Sequence, residues 1–258
     1  MRAGGSATGA LSEAQQAMAA RGIKGMIPIA GARPFLDYAL SALADAGIRR
    51  VCLVIAPEHH EIRGYYEGKG RPQRVSVEFA IQARPRGTAD AVVAAESFAA
   101  GEPVLAVNAD NLYPVAALRA LAALPRAGLL GFRRSTLLSL GNIAPERIFA
   151  FALLETDAGG NLRRIVEKPA AAEAARFGED PLVSMNAWLL PPTIYAAARA
   201  IEPSPRGELE LVDAVRHASE RLGERFRVLE WSEGVLDLSS PTDIPAVVAR
   251  LREHEAEP

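Results

Sequence analysis

The chain has 258 residues, of which 49% are apolar and 23% charged, and its net charge is −2. This composition is ordinary for a globular protein with one large or two small domains. The near-neutral charge excludes an electrostatic footprint for nucleic acid, and no apolar run is long enough to cross a membrane. The single cysteine, Cys52, cannot form an internal disulfide, so nothing indicates secretion and we expect a cytoplasmic protein.

Helix and strand patterns alternate through the first half of the chain. Apolar residues at helical spacing predict helices, and continuous or alternating apolar runs predict strands; Thr88 is the candidate N-cap of one helix. The predicted helices are 11–21, 35–47, 88–99 and 114–124, and the predicted strands are 50–56, 75–81, 104–107 and 127–132. This alternation predicts an α/β fold with a mostly parallel central sheet and helices on both faces.

The second half has a mixed pattern. Residues 151–157 and 162–167 flank the turn cluster DAGGN, which predicts a hairpin. Further strands are predicted at 183–190, 226–231 and 234–238, and helices at 192–201, 210–222 and 242–254. There is no internal repeat and no linker, so we expect a single domain over 1–258, with 1–23 as an atypical N-terminal segment.

The stretch PVLAVNAD, residues 103–110, is the most informative local feature. An apolar run stops at Asn108 and leaves Asp110 at the C-terminal end of a buried strand, which is the edge where open α/β sheets bind ligands. A carboxylate there can hold a divalent metal that in turn holds phosphates. The alternative is that Asp110 only caps the next turn, and the local sequence does not decide between the two.

Two polar islands lie in the N-terminal half. Lys24 stands among apolar residues before Pro28, where it is either a point charge for phosphate or a surface lysine covering the core. In QARPRGTADA, Gln82 offers a donor and an acceptor to a nucleobase edge, and Gly87 allows close backbone approach. The alternative for this second island is a plain loop with a capped helix.

Three more islands follow in the C-terminal half. In IVEKP, Glu167 and Lys168 offer an acceptor for hydroxyls and a cation for phosphate, or else form an exposed strand end. In PSPRGELEL, Arg206 is a candidate phosphate fork, or part of turn and capping chemistry. In GVLDLSS, Asp237 ends a short apolar run and would supply the second carboxylate for Mg²⁺.

Taken in order, these islands resemble the sugar-1-phosphate nucleotidyltransferases, also called nucleoside-diphosphate-sugar pyrophosphorylases, and most of all the glucose-1-phosphate thymidylyltransferases and uridylyltransferases. The matching segments span residues 24 to about 245: KGMIPIAGARPFLDYALSALADAGI, QARPRGTADAV, VLAVNADNLYP, ETDAGGNLRRIVEKP, PSPRGELEL and GVLDLSSPTD. The resemblance implies a Rossmann-like nucleotide-diphospho-sugar transferase fold.

The resemblance also implies roles. Lys24 would contact phosphates, Gln82 would read a pyrimidine base beside Gly87 and Thr88, and Asp110 with Asp237 would hold Mg²⁺. Lys168 and Arg206 would hold the sugar phosphate, and the sugar-binding residues would be Ala152, Glu167 and Asn186. The implied reaction joins a sugar 1-phosphate to UTP or dTTP, releasing pyrophosphate. The implied partners are these two small molecules, with neither nucleic acid nor membrane, and a homo-oligomer is left open.

The front end departs from the family pattern of a strand followed by a GGxGTRL loop. In one alignment GGSATGAL at 4–11 is a degenerate loop, with Ala7 for a glycine and Gly9 for the arginine. In the other, Met1 and Arg2 follow a strand and loop that are missing from this chain, and 3–23 is an insert. We favour the second because it explains the missing strand and the poor loop together. Two smaller departures, Ala152 for a glycine and DLSS for DxGT, leave the sugar open.

Two classes of function follow. The leading one is a Mg²⁺-dependent transferase that makes a UDP- or dTDP-sugar, and the retained carboxylates, Lys24 and Lys168 favour it. The second is a catalytically impaired homologue that binds a nucleotide sugar or regulates a partner, and the absent loop arginine favours it. A glycosyltransferase would require a DxD motif, whereas NADN supplies one aspartate. An amide reads an edge shared by uracil and thymine, so Gln82 does not separate UTP from dTTP.

Overall fold

The structure, a computed structural model, describes residues 12–20, 23–29 and 33–258. The α-helices within these ranges are α1 Glu13–Ala20, α2 Phe35–Asp45, α3 His60–Glu67, α4 Thr88–Ala94, α5 Glu96–Ala99, α6 Val115–Ala122, α7 Arg134–Leu140, α8 Ala171–Ala174, α9 Ile194–Ala200, α10 Leu211–Leu222 and α11 Ile244–Leu251, and short 3-10 helices lie at Lys24–Met26, Pro145–Ala150, Ala175–Phe177 and Pro241–Asp243. The strands are β1 Arg50–Ile55, β2 Ser76–Ile81, β3 Val104–Ala106, β4 Asn111–Leu112, β5 Gly128–Arg133, β6 Ala152–Thr156, β7 Leu162–Val166, β8 Leu182–Ser184, β9 Trp188–Leu190, β10 Arg227–Trp231 and β11 Leu236–Asp237.

The main sheet of the described chain is built around β5. Strand β10 pairs in parallel along one edge of β5, while β8 and β9 pair antiparallel along its other edge. Beyond them β9 pairs with β3, β8 pairs with β6, and β6 forms the predicted hairpin with β7. Strands β8 and β9 are thus one strand interrupted at 185–187, and the sheet places the C-terminal ends of β3 and β5 in the same direction.

Two short two-stranded sheets accompany the main one: β1 with β2 in parallel, and β4 with β11 antiparallel. The α/β fold is confirmed, but the expectation of a mostly parallel sheet is wrong in detail, because the central pairings of β8 and β9 are antiparallel. The sequence of β8 and β9 is a continuous apolar run, and such a run does not distinguish a parallel strand from an antiparallel one. Within the described ranges, the second edges of β1 and β3 have no strand partner.

Alternation along the strands sends side chains to two separate cores. In β5, Leu130 and Phe132 join a cluster with α2, α3 and α6, whereas Leu129 joins a cluster with α9 and α10. Trp188 and Leu190 likewise lie on the second face and Leu189 on the first. The prediction of helices on both faces is therefore confirmed. A third cluster packs the 23–29 segment and α2 against α11.

Several predicted boundaries differ from the structure. The predicted strand 183–190 breaks around Asn186, whose φ of 58° is left-handed. The predicted helix 88–99 is split at Ala95. Thr88 is the first residue of α4 rather than its N-cap, and its hydroxyl accepts a hydrogen bond from Leu211 N (2.9 Å). Helices α3, α7 and α8 were not predicted. The loop candidate at 4–11 lies outside the described residues. No described helix has the length and apolarity of a membrane span.

Candidate functional site

The pairing of β4 with β11 brings two predicted site aspartates together. Asp237 lies opposite Asn111, and Leu238 N donates to the carbonyl of Asp110 over 2.8 Å. Lys24 approaches from the segment before α2, with its Nζ 3.7 Å from Asp110 Oδ2. Lys24, Asp110 and Asp237 span more than 200 residues of sequence and lie close together here.

The electrostatics of Asp110 reflect this crowding. Burial raises the pKa of the Asp110 carboxyl, the charge of Asp237 raises it further, and Lys24 opposes both effects. The ionised carboxylate of Asp110 is therefore poorly solvated and lies beside the like charge of Asp237, and both effects disfavour it. A further cation bound there would stabilise the ionised form.

Asp237 lies in a more enclosed setting, with 1% of its surface exposed. Its Oδ1 accepts from Asn111 Nδ2 (3.0 Å) and Ser239 Oγ (2.7 Å), and its Oδ2 accepts from Arg147 Nη2 (2.5 Å) and Ser239 N (3.3 Å). Asn142 holds the backbone of Asp237 through both its amide oxygen and its amide nitrogen. Both carboxylate oxygens of Asp237 thus already have side-chain or backbone donors, whereas the ion pair that Asp110 forms within the described ranges is the 3.7 Å contact with Lys24.

The donor set fits a magnesium ion held mainly by substrate. Mg²⁺ binds through one or two carboxylates and completes its octahedron with phosphate oxygens and water. No group of three or more His, Cys, Asp or Glu side chains that could hold a metal occurs within the described ranges. Asp110 is the open carboxylate, with 26% of its side chain exposed, and Asp237 is the buried second one.

Tyr113 connects this carboxylate pair to the break between β8 and β9. Its hydroxyl donates to the carbonyls of Met185 (2.6 Å) and Asn186 (3.5 Å) and accepts from Asn108 N (3.4 Å). Burial raises the pKa of Tyr113 far above its usual value, so the hydroxyl stays protonated and available as a donor. The sugar-binding candidate Asn186 is therefore held close to the end of β3.

A second part of the site forms where the loop after β2 meets the loop before α10. Leu209 N donates to Arg86 O (2.7 Å), and Ala89 N donates to Leu209 O (2.9 Å). Between them Gly87 has a φ of +115°, and a Cβ there would lie 2.5 Å from Leu209 O. Glycine is required at 87 both by its backbone conformation and by this contact. The segments QARPRGTADA and PSPRGELEL are thus joined by backbone hydrogen bonds into one part of the site.

Gln82 lines an open cavity of about 400 Å³ beside this junction. Its Nε2 donates to the Gly87 carbonyl (3.0 Å) and to Asp90 Oδ2 (3.0 Å). The cavity is lined by Ile81, Gln82, Ala83, Arg84, Arg86, Asp90, Val93 and Ala94. Polar groups converging on a concave surface are the usual arrangement of a ligand site.

The charged residues of the third and fourth islands also meet. Burial raises the pKa of Glu167, Lys168 and Arg206 lower it, and Glu210 raises it. Arg206 Nη2 lies 2.6 Å from Glu210 Oε1 and the Arg206 side chain is 40% exposed, so its guanidinium is oriented but still open to a ligand. Lys168 has a left-handed φ of 45°, an unfavourable conformation of the kind found at ligand sites.

The other sugar-binding candidates lie along β6 and the strand break. Ala152 begins β6, is buried and pairs with Ser184, so only its backbone could serve a ligand. The Asn186 Oδ1 accepts from Trp188 Nε1 (3.4 Å). Among the described residues, no hydrogen bond or ion pair joins Gln82, Gly87 or Thr88 to Asp110; these lie in the two separate parts of the site.

The sequence reasoning missed four residues: Asp90, Tyr113, Asn142 and Arg147. Asp90 and Tyr113 lie inside the quoted segments QARPRGTADAV and VLAVNADNLYP, so their position next to Gln82 and Asp110 was a usable signal. Asn142 comes from the loop after α7 and Arg147 from the 3-10 helix Pro145–Ala150, and only the tertiary fold brings them to Asp237.

Comparison with known proteins identifies the family of this chain. The sequence model of the family described as nucleotidyl transferase matches residues 17–237. A glucose-1-phosphate thymidylyltransferase of Streptomyces antibioticus is 30% identical over 72% of this chain and 48% of its own length. One from an Actinoplanes species is 28% identical over 70% of this chain and 55% of its own length. The chain thus spans about half the length of these relatives.

Solved structures show the same fold. A UDP-glucose pyrophosphorylase complexed with UDP-glucose superposes with a TM-score of 0.72 at 19% identity, covering 90% of this chain and 91% of that one. A glucose-1-phosphate thymidylyltransferase of Bacillus anthracis, called putative in its description, gives a TM-score of 0.70 at 18% identity, covering 90% and 87%. With the family model matched over most of its length, this chain belongs to the nucleotidyl transferase family.

Proposed function

We propose that the protein joins a nucleoside triphosphate, UTP or dTTP, to a sugar 1-phosphate and releases pyrophosphate. The observation that carries this proposal is the meeting of Lys24, Asp110 and Asp237 at the end of β3. Family membership and the names of the relatives support the reaction class. The cytoplasmic location and the single domain stay predictions of the sequence.

In the proposed reaction an oxygen of the sugar phosphate attacks the α-phosphorus of the nucleotide. A new P–O bond forms there, the bond from the α-phosphorus to the α–β bridging oxygen breaks, and pyrophosphate leaves with the electron pair. No covalent intermediate with the enzyme is required, so positioning and charge neutralisation supply the catalysis.

The residues divide this work between the two parts of the site. Lys24 contacts the nucleotide phosphates, while Gln82, Gly87 and Thr88 bind the base and its ribose. Lys168 and Arg206 hold the sugar phosphate in line with the α-phosphorus. The sugar itself is bound by Ala152 through its backbone and by the side chains of Glu167 and Asn186.

Asp110, with Asp237 behind it, would hold Mg²⁺. Bound there, the ion supplies charge neutralisation for the phosphates of both substrates. Asp110 would be the main carboxylate ligand of the ion, because Asp237 is already paired with Arg147. The charge of Asp237 would mainly add to the negative potential at Asp110.

The test is a pyrophosphate-release assay with UTP, dTTP and several sugar 1-phosphates, run with and without Mg²⁺. We expect release that needs all three components. Binding of nucleotide without release from any pair would instead favour the impaired homologue.

A further inference from the structure

The amide of Gln82 is fixed in one orientation by two acceptors. Its Nε2 lies 3.0 Å from the Gly87 carbonyl and 3.0 Å from Asp90 Oδ2. A carbonyl oxygen cannot donate and neither can a carboxylate, so the atom between them has to be the amide nitrogen. Both N–H groups of Gln82 are therefore used within the protein.

The amide oxygen of Gln82, unlike its nitrogen, has no hydrogen-bond partner among the described residues. In the parts of the chain that the structure describes, no group donates to Gln82 Oε1, and this atom is not buried. Gln82 lines the 400 Å³ cavity together with Asp90. Gln82 thus presents a hydrogen-bond acceptor to the cavity, and its two donors are turned to Gly87 and Asp90.

We propose that Asp90 is a specificity-determining residue that locks Gln82 as a pure acceptor, so the cavity selects a base with an N–H on its facing edge. This inference rests on the proposed function. Uracil and thymine carry such a group at N3. Cytosine carries a lone pair at N3, which would face the lone pairs of Gln82 Oε1.

The fixed orientation of the Gln82 amide depends on Asp90 more than on the Gly87 carbonyl. A Gln82 amide released from Asp90 could rotate and offer its N–H to cytosine, because one remaining hydrogen bond costs little to exchange for another. Asp90 itself is well placed: it is the third residue of α4, only 25% of its side chain is exposed, and Arg86 Nη1 lies 4.0 Å from its other oxygen. Unpaired polar groups facing each other are an effective means of rejecting the wrong ligand.

The first test needs only the unaltered protein. Dissociation constants are measured for UTP, dTTP, CTP and N3-methyluridine triphosphate in the presence of Mg²⁺. We expect UTP and dTTP to bind alike, and CTP and the N3-methyl analogue to bind at least about tenfold more weakly, the size of one lost hydrogen bond. Equal binding of UTP and its N3-methyl analogue overturns the inference.

The second test assigns the selectivity to Asp90. In Asp90→Ala the UTP-to-CTP preference should fall by about tenfold, while Asp90→Asn, which keeps an acceptor of the same size, should retain more of it. Glu67→Ala is the matched control, since it removes an acid paired at the same i,i+4 spacing (Arg63–Glu67, 3.6 Å). Thermal melting confirms that each variant is folded.

The outcomes separate this inference from the proposed function. An unchanged preference in folded Asp90→Ala overturns the inference and leaves the function intact. If the unaltered protein binds none of the triphosphates, the proposed function fails and this inference fails with it. If Asp90→Ala does not fold, the inference is tested by Asp90→Asn and is still overturned by equal binding of UTP and its N3-methyl analogue.

Discussion

Arg147 forms an ion pair with the buried carboxylate of Asp237, with 2.5 Å between Nη2 and Oδ2. Its Nη1 lies 2.6 Å from Asp243 Oδ1, so one guanidinium joins Asp237 of β11 to Asp243, the residue before α11. Burial lowers the pKa of Arg147, but Asp237 and Asp243 outweigh it and leave the pKa raised. Asp237 is therefore a fixed negative charge whose position is set by Arg147 and whose field reaches Asp110.

Arg147→Ala should strongly destabilise the fold. It would leave Asp237 buried with its principal cation removed, and such a loss typically lowers the free energy of unfolding by about 3–5 kcal/mol. Chemical denaturation at neutral pH measures this.

The control for that experiment is Arg163→Ala. Arg163 pairs with Glu155 at 2.6 Å, but its side chain is 67% exposed. Exposed pairs contribute about 0–1 kcal/mol, so this variant should be close to the parent protein. Equal effects of the two substitutions would show that Arg147 is an ordinary surface arginine.

Asp110→Ala should remove turnover while leaving the fold intact. The carboxylate is the open one of the pair, and loss of such a charged group at a phosphoryl site lowers kcat by about 10²-fold or more. Because burial and the charge of Asp237 disfavour its charged form, its removal should not lower the free energy of unfolding at neutral pH. Exposed Glu102→Ala is the control, and near-parental activity in Asp110→Ala would refute the metal assignment.

Glu167→Gln should stabilise the protein at neutral pH and not at low pH. Burial raises the folded-state pKa of Glu167 above its unfolded value of about 4.3. The stability linked to its protonated form is complete below that unfolded pKa and is lost as pH rises through the folded pKa. The gain from Glu167→Gln should therefore appear at pH 7 and vanish near pH 4.

Unfolding free energies at both pH values test this, with exposed Glu102→Gln as the control for a pH-independent change. A gain for Glu167→Gln that is the same at pH 4 and pH 7 would mean that ionisation of Glu167 is not what the substitution relieves. The same variant should lose activity, since Glu167 is proposed to bind sugar hydroxyls.

Arg206→Ala should raise the KM for the sugar 1-phosphate and leave that for the nucleotide nearly unchanged. Arg206 is held by Glu210 yet 40% exposed, and a guanidinium–phosphate hydrogen bond contributes about 1.5–3 kcal/mol, or about 10- to 100-fold. Steady-state kinetics with each substrate varied in turn measures this. Equal increases in both values would place Arg206 outside the sugar-phosphate subsite.

Much of the fold followed from local patterns. The hairpin of β6 and β7 and the helices α2 and α10 were predicted within about two residues, because turn chemistry and apolar spacing act over short distances. The direction of β8 and β9 was not predictable, since a strand buried on both faces has the same apolar pattern in either direction. Asn186 lies at the break within that run, where its left-handed backbone interrupts the strand.

The site was predictable where chemistry-bearing residues follow strands. Asp110 and Asp237 were chosen on that basis, and Lys24 was chosen as a charge among apolar residues. The structure places the three close together. Arg147 and Asn142 carried no such signal, because their partners are reached only through tertiary folding. The orientation of Gln82 depends on Asp90, eight residues further on, and required side-chain distances.

The most direct test follows oxygen atoms through the proposed reaction. The protein is supplied with UTP or dTTP, Mg²⁺ and a sugar 1-phosphate labelled with ¹⁸O in its phosphate, and the products are analysed by mass spectrometry. Attack by the sugar phosphate on the α-phosphorus predicts that all the label enters the nucleoside-diphosphate sugar and that pyrophosphate is unlabelled. Labelled pyrophosphate, or release of pyrophosphate with no nucleoside-diphosphate sugar formed, would contradict the account.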